Sequence, residues 1–150
     1  MTLTNQYMTG VGIAIITKNP YIPLPLATSS HYLLDSLPHY GFRDWESRDK
    51  KIFRTMLVID VFVFVLLLNF LIEASVPNWY YLAGFFGYLP DVAWIYIWIG
   101  PEKFGTIKST RENAINKFHS NIQRFERVWG IIPEIIYGLV MFSLLRGALV

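Results

Sequence analysis

Three apolar stretches of about 20 residues each constrain this chain more than any other feature. They run from Thr55 to Ala74, from Trp79 to Ile99 and from Gly130 to Val150. At about 1.5 Å per helical residue, each matches the roughly 30 Å hydrocarbon core of a bilayer. A helix in a soluble core carries a polar face, and these three have almost none. Charged residues make up only 16 % of the chain, whereas soluble domains hold about a quarter. Mean hydropathy is positive, at +0.36. Trp79, Tyr80, Tyr81, Tyr96 and Trp98 cluster at the two ends of the second stretch, as an aromatic belt does at headgroup depth. The expected fold is therefore all-α: a polytopic membrane protein forming one integral-membrane domain over 1–150. There are no cysteines, which excludes disulfides, thiol catalysis and cysteine-held metals. A net charge of +2 gives no reason to expect nucleic acid. Membrane lipids are the expected partners, and a homo-oligomer or a membrane-complex partner is compatible with the pattern.

The segment before these stretches follows a different rule. Gln6 to Thr17 is apolar but too short to span. Lys18-Asn19-Pro20 is a turn signal, and a second apolar piece runs from Tyr21 to Leu37. The expectation is an N-terminal hairpin of two half-length helices, shielded from lipid or re-entrant. No basic region precedes the apolar part and Lys18 interrupts it, so it does not read as a cleavable signal peptide.

Cations fall into two connectors. Arg43, Arg48, Lys50, Lys51 and Arg54 occupy one, and Lys103, Lys108, Arg111, Lys117, Arg124 and Arg127 the other. The turn around Ser75 to Asn78 has none. The positive-inside rule places both basic connectors in the cytoplasm. Two spans separate them, so the assignments agree. Within Thr110 to Trp129, Ile115, Phe118, Ile122, Phe125 and Trp129 recur at helical spacing. This predicts an amphipathic cytoplasmic helix, lying on the inner leaflet or packed on the domain.

Residues 26–36, LATSSHYLLDS, align without gaps to 82–92, LAGFFGYLPDV, and bring Asp35 and Asp91 into register. A duplication would put two carboxylates at equivalent points of two related hairpins. Ionisable groups at membrane depth are costly and ask for a partner or a role. Asp60, Asp91 and Glu134, with His31, Asp35 and His39, all fall toward the cytoplasmic side of the expected topology. His31, Asp35 and His39 stand at i, i+4 and i+8, so a helix would stack them on one face. Imidazole and carboxylate donors suit zinc, manganese or iron. The alternative for each histidine is a hydrogen-bonded interfacial residue. His119 is remote in sequence but on the same expected side.

The stretch MTGVGIAIITKNPYIPLPLATSSHYLLDSLPHYG resembles the opening of the YdjM-like family of membrane-bound metal-dependent hydrolases. The specific part is Ser30-His31-Tyr32-Leu33-Leu34-Asp35-Ser36-Leu37-Pro38-His39, and about 35 residues are covered. Pro90-Asp91 and His119 match more loosely. The resemblance implies a bacterial or archaeal cytoplasmic-membrane protein with a divalent metal, zinc before manganese or iron. Its substrate would be a lipid or a phosphorylated molecule at the cytoplasmic face. Carried over by position, His31, Asp35, His39 and His119 are the metal ligands. Asp91 is a bridging ligand or catalytic base. Gln6 stands where the family usually has its first histidine, and only one later histidine, His119, is found. Gln123 and Glu126 are candidate substitutes.

Such a site needs about three fixed ligands and one open position for water. Asp60 and Glu134 would orient the histidines or make polar contacts between helices. Arg43, Arg48, Arg124 and Arg127 would grip a phosphate or simply anchor the cytoplasmic side. Gly84-Phe85-Phe86-Gly87 is expected to permit close helix packing. Two other functions fit the same residues. One is a non-catalytic membrane subunit or adaptor with a degenerate site. The other is an ion or proton path through Asp60, Asp91 and Glu134.

Overall fold

A computed structural model describes residues 1–41, 50–104, 121–122 and 125–150. Among the described residues the main helices are α1 (Leu3–Thr17), α2 (Pro23–Asp35), α3 (Lys50–Glu73), α4 (Asn78–Phe104) and α5 (Ile131–Leu149). Two short parallel strands, β1 (His39–Tyr40) and β2 (Glu126–Arg127), pair His39 with Glu126 and Tyr40 with Arg127. A 3-10 turn, Val128–Gly130, leads into α5.

The N-terminal hairpin forms where the sequence punctuates it. Lys18 caps α1 in the left-handed region, at φ 49°. The Asn19 side-chain oxygen accepts from the backbone N–H groups of Tyr21 and Ile22, at 2.8 and 3.3 Å. Pro23 and Pro25 then sit in the first turn of α2, where a missing N–H costs nothing. α1 is the hub and packs against α2, α3, α4 and α5. It contributes Tyr7, Met8 and Val11 to a core completed by Leu67 and Leu71 of α3, Val76, and Leu145 of α5. Tyr7 meets Phe64 edge to face, with ring centroids 5.0 Å apart.

Small residues bring α1 and α4 into backbone contact. A Cβ on Gly87 would lie 2.4 Å from the Gln6 carbonyl oxygen, and one on Gly84 would lie 2.6 Å from the Tyr7 ring. Gly84 and Gly87 are thus the packing glycines that their spacing suggested.

Among the described residues, two helices are long and apolar enough to cross a membrane: Arg54–Glu73 and Val128–Leu149. Only 11 % and 17 % of their apolar windows are buried, so neither behaves as the core helix of a soluble protein. The expected third span does not join them. α4 has the length, but its side chains are described only as far as Val92. Two further expectations are corrected. The amphipathic helix does not reach Trp129, because Glu126–Arg127 is extended and pairs with β1. The remainder of that stretch lies almost wholly outside the described residues. The echo at 82–92 is not a second hairpin, since those residues lie inside the continuous helix α4.

Candidate metal centre

α2 and α4 place the two echoing aspartates on the same histidine. His31 Nε2 lies 3.3 Å from Asp35 Oδ2 and 3.6 Å from Asp91 Oδ1. The three donor atoms lie within 4.8 Å of one another. His31 and Asp35 are fully buried, while the Asp91 side chain is 39 % exposed. The i, i+4 spacing does for His31 and Asp35 what helix geometry requires. Asp91 arrives from a different helix, held close by the glycine-mediated approach of α4.

Neither His31 ring nitrogen makes a hydrogen bond of good geometry among the described residues. The ring has the Asp35 and Asp91 carboxylates beside it and interacts with the Gly87 backbone; a cation between it and the carboxylates would give it a closer partner. The spacings suit this. Ligands about 2.0–2.2 Å from a tetrahedral zinc stand roughly 3.3–3.6 Å apart. One histidine and two carboxylates would leave an open position, as catalytic rather than structural sites do.

The electrostatics favour the charge states a metal needs. α2 lies outside the two candidate spans. Burial, the strongest influence on His31, holds its pKa below the ordinary value although Asp35 opposes it; the ring is neutral and able to ligate. Burial alone would push the Asp35 carboxyl up. The Met1 ammonium and His31 outweigh burial and bring its pKa below the usual carboxylate value. The ammonium donates to Asp35 Oδ1 at 2.8 Å.

Gln6 enters the same site. It is fully buried, its Nε2 donates to Asp35 Oδ1 at 3.2 Å, and its Oε1 has no partner among the described residues. The amide thus stands beside the ligand group, at the position where the resemblance calls for histidine. Its signal in the sequence is the polar run Thr4-Asn5-Gln6, all buried, in a helix otherwise apolar.

Other candidates fall elsewhere. His39 is buried, and its Nδ1–H donates to the Leu37 carbonyl at 2.8 Å. It influences Asp35 electrostatically but is not one of the three clustered donors. His119, Gln123, Arg43, Arg48 and Arg124 lie outside the described residues, and the Glu126 side chain is not described. Among the described residues, Asp60 and Glu134 bond backbone groups and not histidines. Asp60 accepts from the backbone N–H groups of Leu3 and Thr4, at 2.9 and 3.2 Å. Glu134 Oε1 accepts from those of Thr2 and Tyr40, at 3.2 and 3.3 Å.

Comparison with protein-family models, curated proteins and solved structures returned no match.

Proposed function

We propose that this chain is an integral membrane protein and a metal-dependent hydrolase, working at the cytoplasmic face on a lipid or phosphorylated substrate. The observation that carries this reading is the convergence of His31, Asp35 and Asp91, whose donor atoms lie within 4.8 Å of one another. In this reading α4 crosses the membrane as a third span, with Asp91 turned toward His31 rather than lipid. The basic connectors face the cytoplasm.

A divalent metal held there would lower the pKa of a bound water and polarise the substrate. His31 and Asp35 are the buried, rigid holders. Asp91, more exposed, is the group able to face substrate and to take a proton from water as general base. Gln6 positions Asp35 through its amide. The donor set is one nitrogen and several oxygens, which suits manganese or iron as well as zinc.

A non-catalytic subunit is the second reading, and a specific observation favours it: Gln6 already satisfies Asp35. Metal analysis by inductively coupled plasma mass spectrometry on detergent-purified protein separates the two. The hydrolase reading expects about one metal per chain, lost in His31→Ala and Asp35→Ala variants that still insert into the membrane. A folded wild type that takes up no metal even after supplementation overturns it.

A further inference from the structure

α3 has two distinct faces. Asp60, Phe64, Leu67 and Leu71 lie on the one turned to α1 and the core. Val58, Phe62, Val65, Asn69 and Ile72 lie on the other, on the order of 150° around the helix at 3.6 residues per turn. All five are exposed, Val58 by 68 % and both Phe62 and Ile72 by 63 %. They follow one another in steps of four, three, four and three residues. That spacing is the seam of a left-handed helix pair, in which side chains of one helix insert between those of the next.

One residue of the seam is polar. Asn69 stands about 6 Å inside the Glu73 end of the apolar helix Arg54–Glu73. Its Nδ2 donates to the Val65 carbonyl at 2.9 Å. That bond uses one of the two amide N–H groups. The other N–H and Oδ1 have no partner among the described residues. In an apolar medium such open groups are costly, and lipid tails offer nothing to bond them.

We infer that this face of α3 pairs with the same face of a second copy of the chain. The inference rests on Arg54–Glu73 crossing the bilayer and not on the metal site. Copies inserted by the same positive-inside rule share one orientation. Paired α3 helices therefore run parallel, and a two-fold axis along the membrane normal sets each seam residue against its counterpart. Asn69 then meets Asn69 of the second copy. The remaining N–H of each amide donates to Oδ1 of the other, so all the open groups gain partners at once. An aliphatic neighbour would leave the amide open, and a charged one would itself be costly in lipid. Val58, Phe62, Val65 and Ile72 supply the apolar packing, and the single Asn fixes the register.

The test uses the full chain in liposomes of phosphatidylcholine and phosphatidylglycerol, labelled through an appended C-terminal tag. Single-molecule photobleaching should show two steps at protein densities where chance pairs are rare, and one step on further dilution in lipid. Asn69→Leu should raise the dimer dissociation constant about three- to tenfold. Its unfolding in dodecyl sulfate should match wild type, since the side chain points away from the core. The chain has no cysteine, so single cysteines report contact cleanly. Val65→Cys should cross-link between chains several-fold faster than Val140→Cys, at an exposed position on α5. His31→Ala should pair like wild type. A wild type that stays single at every density overturns the pairing, with Asn69 served by interfacial water instead. Equal cross-linking at the two cysteines, or Asn69→Leu as tightly paired as wild type, overturns this seam. Release of the chain from membranes by alkaline carbonate would overturn the spanning helix itself, a different failure from a spanning chain that stays single.

Discussion

Removing the Asp60 carboxylate should loosen the start of α1, and the size of the effect follows from its bonds. The N-cap of α1, Thr2, makes no side-chain capping bond. Asp60, from α3, does that work instead: its two oxygens take the N–H groups of Leu3 and Thr4. Its backbone carbonyl also accepts from Thr4 Oγ1 at 3.1 Å. Asp60→Ala leaves two N–H groups unsatisfied, each costing about 1–3 kcal/mol when buried. The negative charge at the helix N-terminus is lost as well, a loss of up to about 2 kcal/mol in partly buried settings. These figures overlap rather than add. The site is only part-buried, so water can serve some of the freed groups. We expect a net loss of about 2–3 kcal/mol. Asp60→Asn keeps one acceptor oxygen and the side-chain shape, so it should lose about 1–2 kcal/mol. The assay is reversible unfolding by sodium dodecyl sulfate in mixed micelles, followed by tryptophan fluorescence. Amide hydrogen exchange at residues 3 and 4 is the local readout. Asp60→Ala within about 0.5 kcal/mol of wild type, or Asp60→Asn worse than Asp60→Ala, would refute the capping argument. A change in ion flux with unaltered stability would instead revive the conduction path through this residue.

Further outcomes are expected. Gln6→His should add a nitrogen donor beside Asp35 and raise metal affinity, read by competition with a chelating dye; an unchanged affinity would place Gln6 outside the ligand sphere. Gly87→Ala should drive a methyl into the Gln6 carbonyl, 2.4 Å away, at a cost of about 1–3 kcal/mol in the same unfolding assay, with metal uptake reduced because Asp91 follows on the same helix. Leu71→Ala, at a fully buried position, should open a cavity and cost about 2–5 kcal/mol while leaving metal content unchanged. Gly130→Ala should part β1 from the turn before α5, since its Cβ would overlap the His39 carbonyl; faster proteolysis near residue 41 would report this.

What was legible in the sequence follows from short-range rules. The length and hydropathy of Thr55–Ala74 and Gly130–Val150 fix two long apolar helices, because backbone groups in an apolar medium must be satisfied within the segment. Asn19 and the prolines fix the hairpin turn by local bonding and by φ restriction. The i, i+4 spacing of His31 and Asp35 sets their mutual distance through helix pitch alone. Other features depended on contacts between segments far apart in the chain. Asp91 is more than 50 residues from His31, and only the close packing of α1 and α2 on α4, permitted by glycines, brings it to 3.6 Å. Asp60 and Glu134 looked like site residues because acidic groups in apolar helices ask for a role; the fold uses them to satisfy the first turn of α1 and the Tyr40 amide. The helix expected up to Trp129 gave way to β2 because Glu126 and Arg127 found backbone partners in β1, which no periodicity within their own segment could disclose. Helical spacing, turn chemistry and hydropathy act over a few residues and can be read from the chain itself. Which carboxylate meets the imidazole, and which caps a helix, depends on how the helices pack in three dimensions.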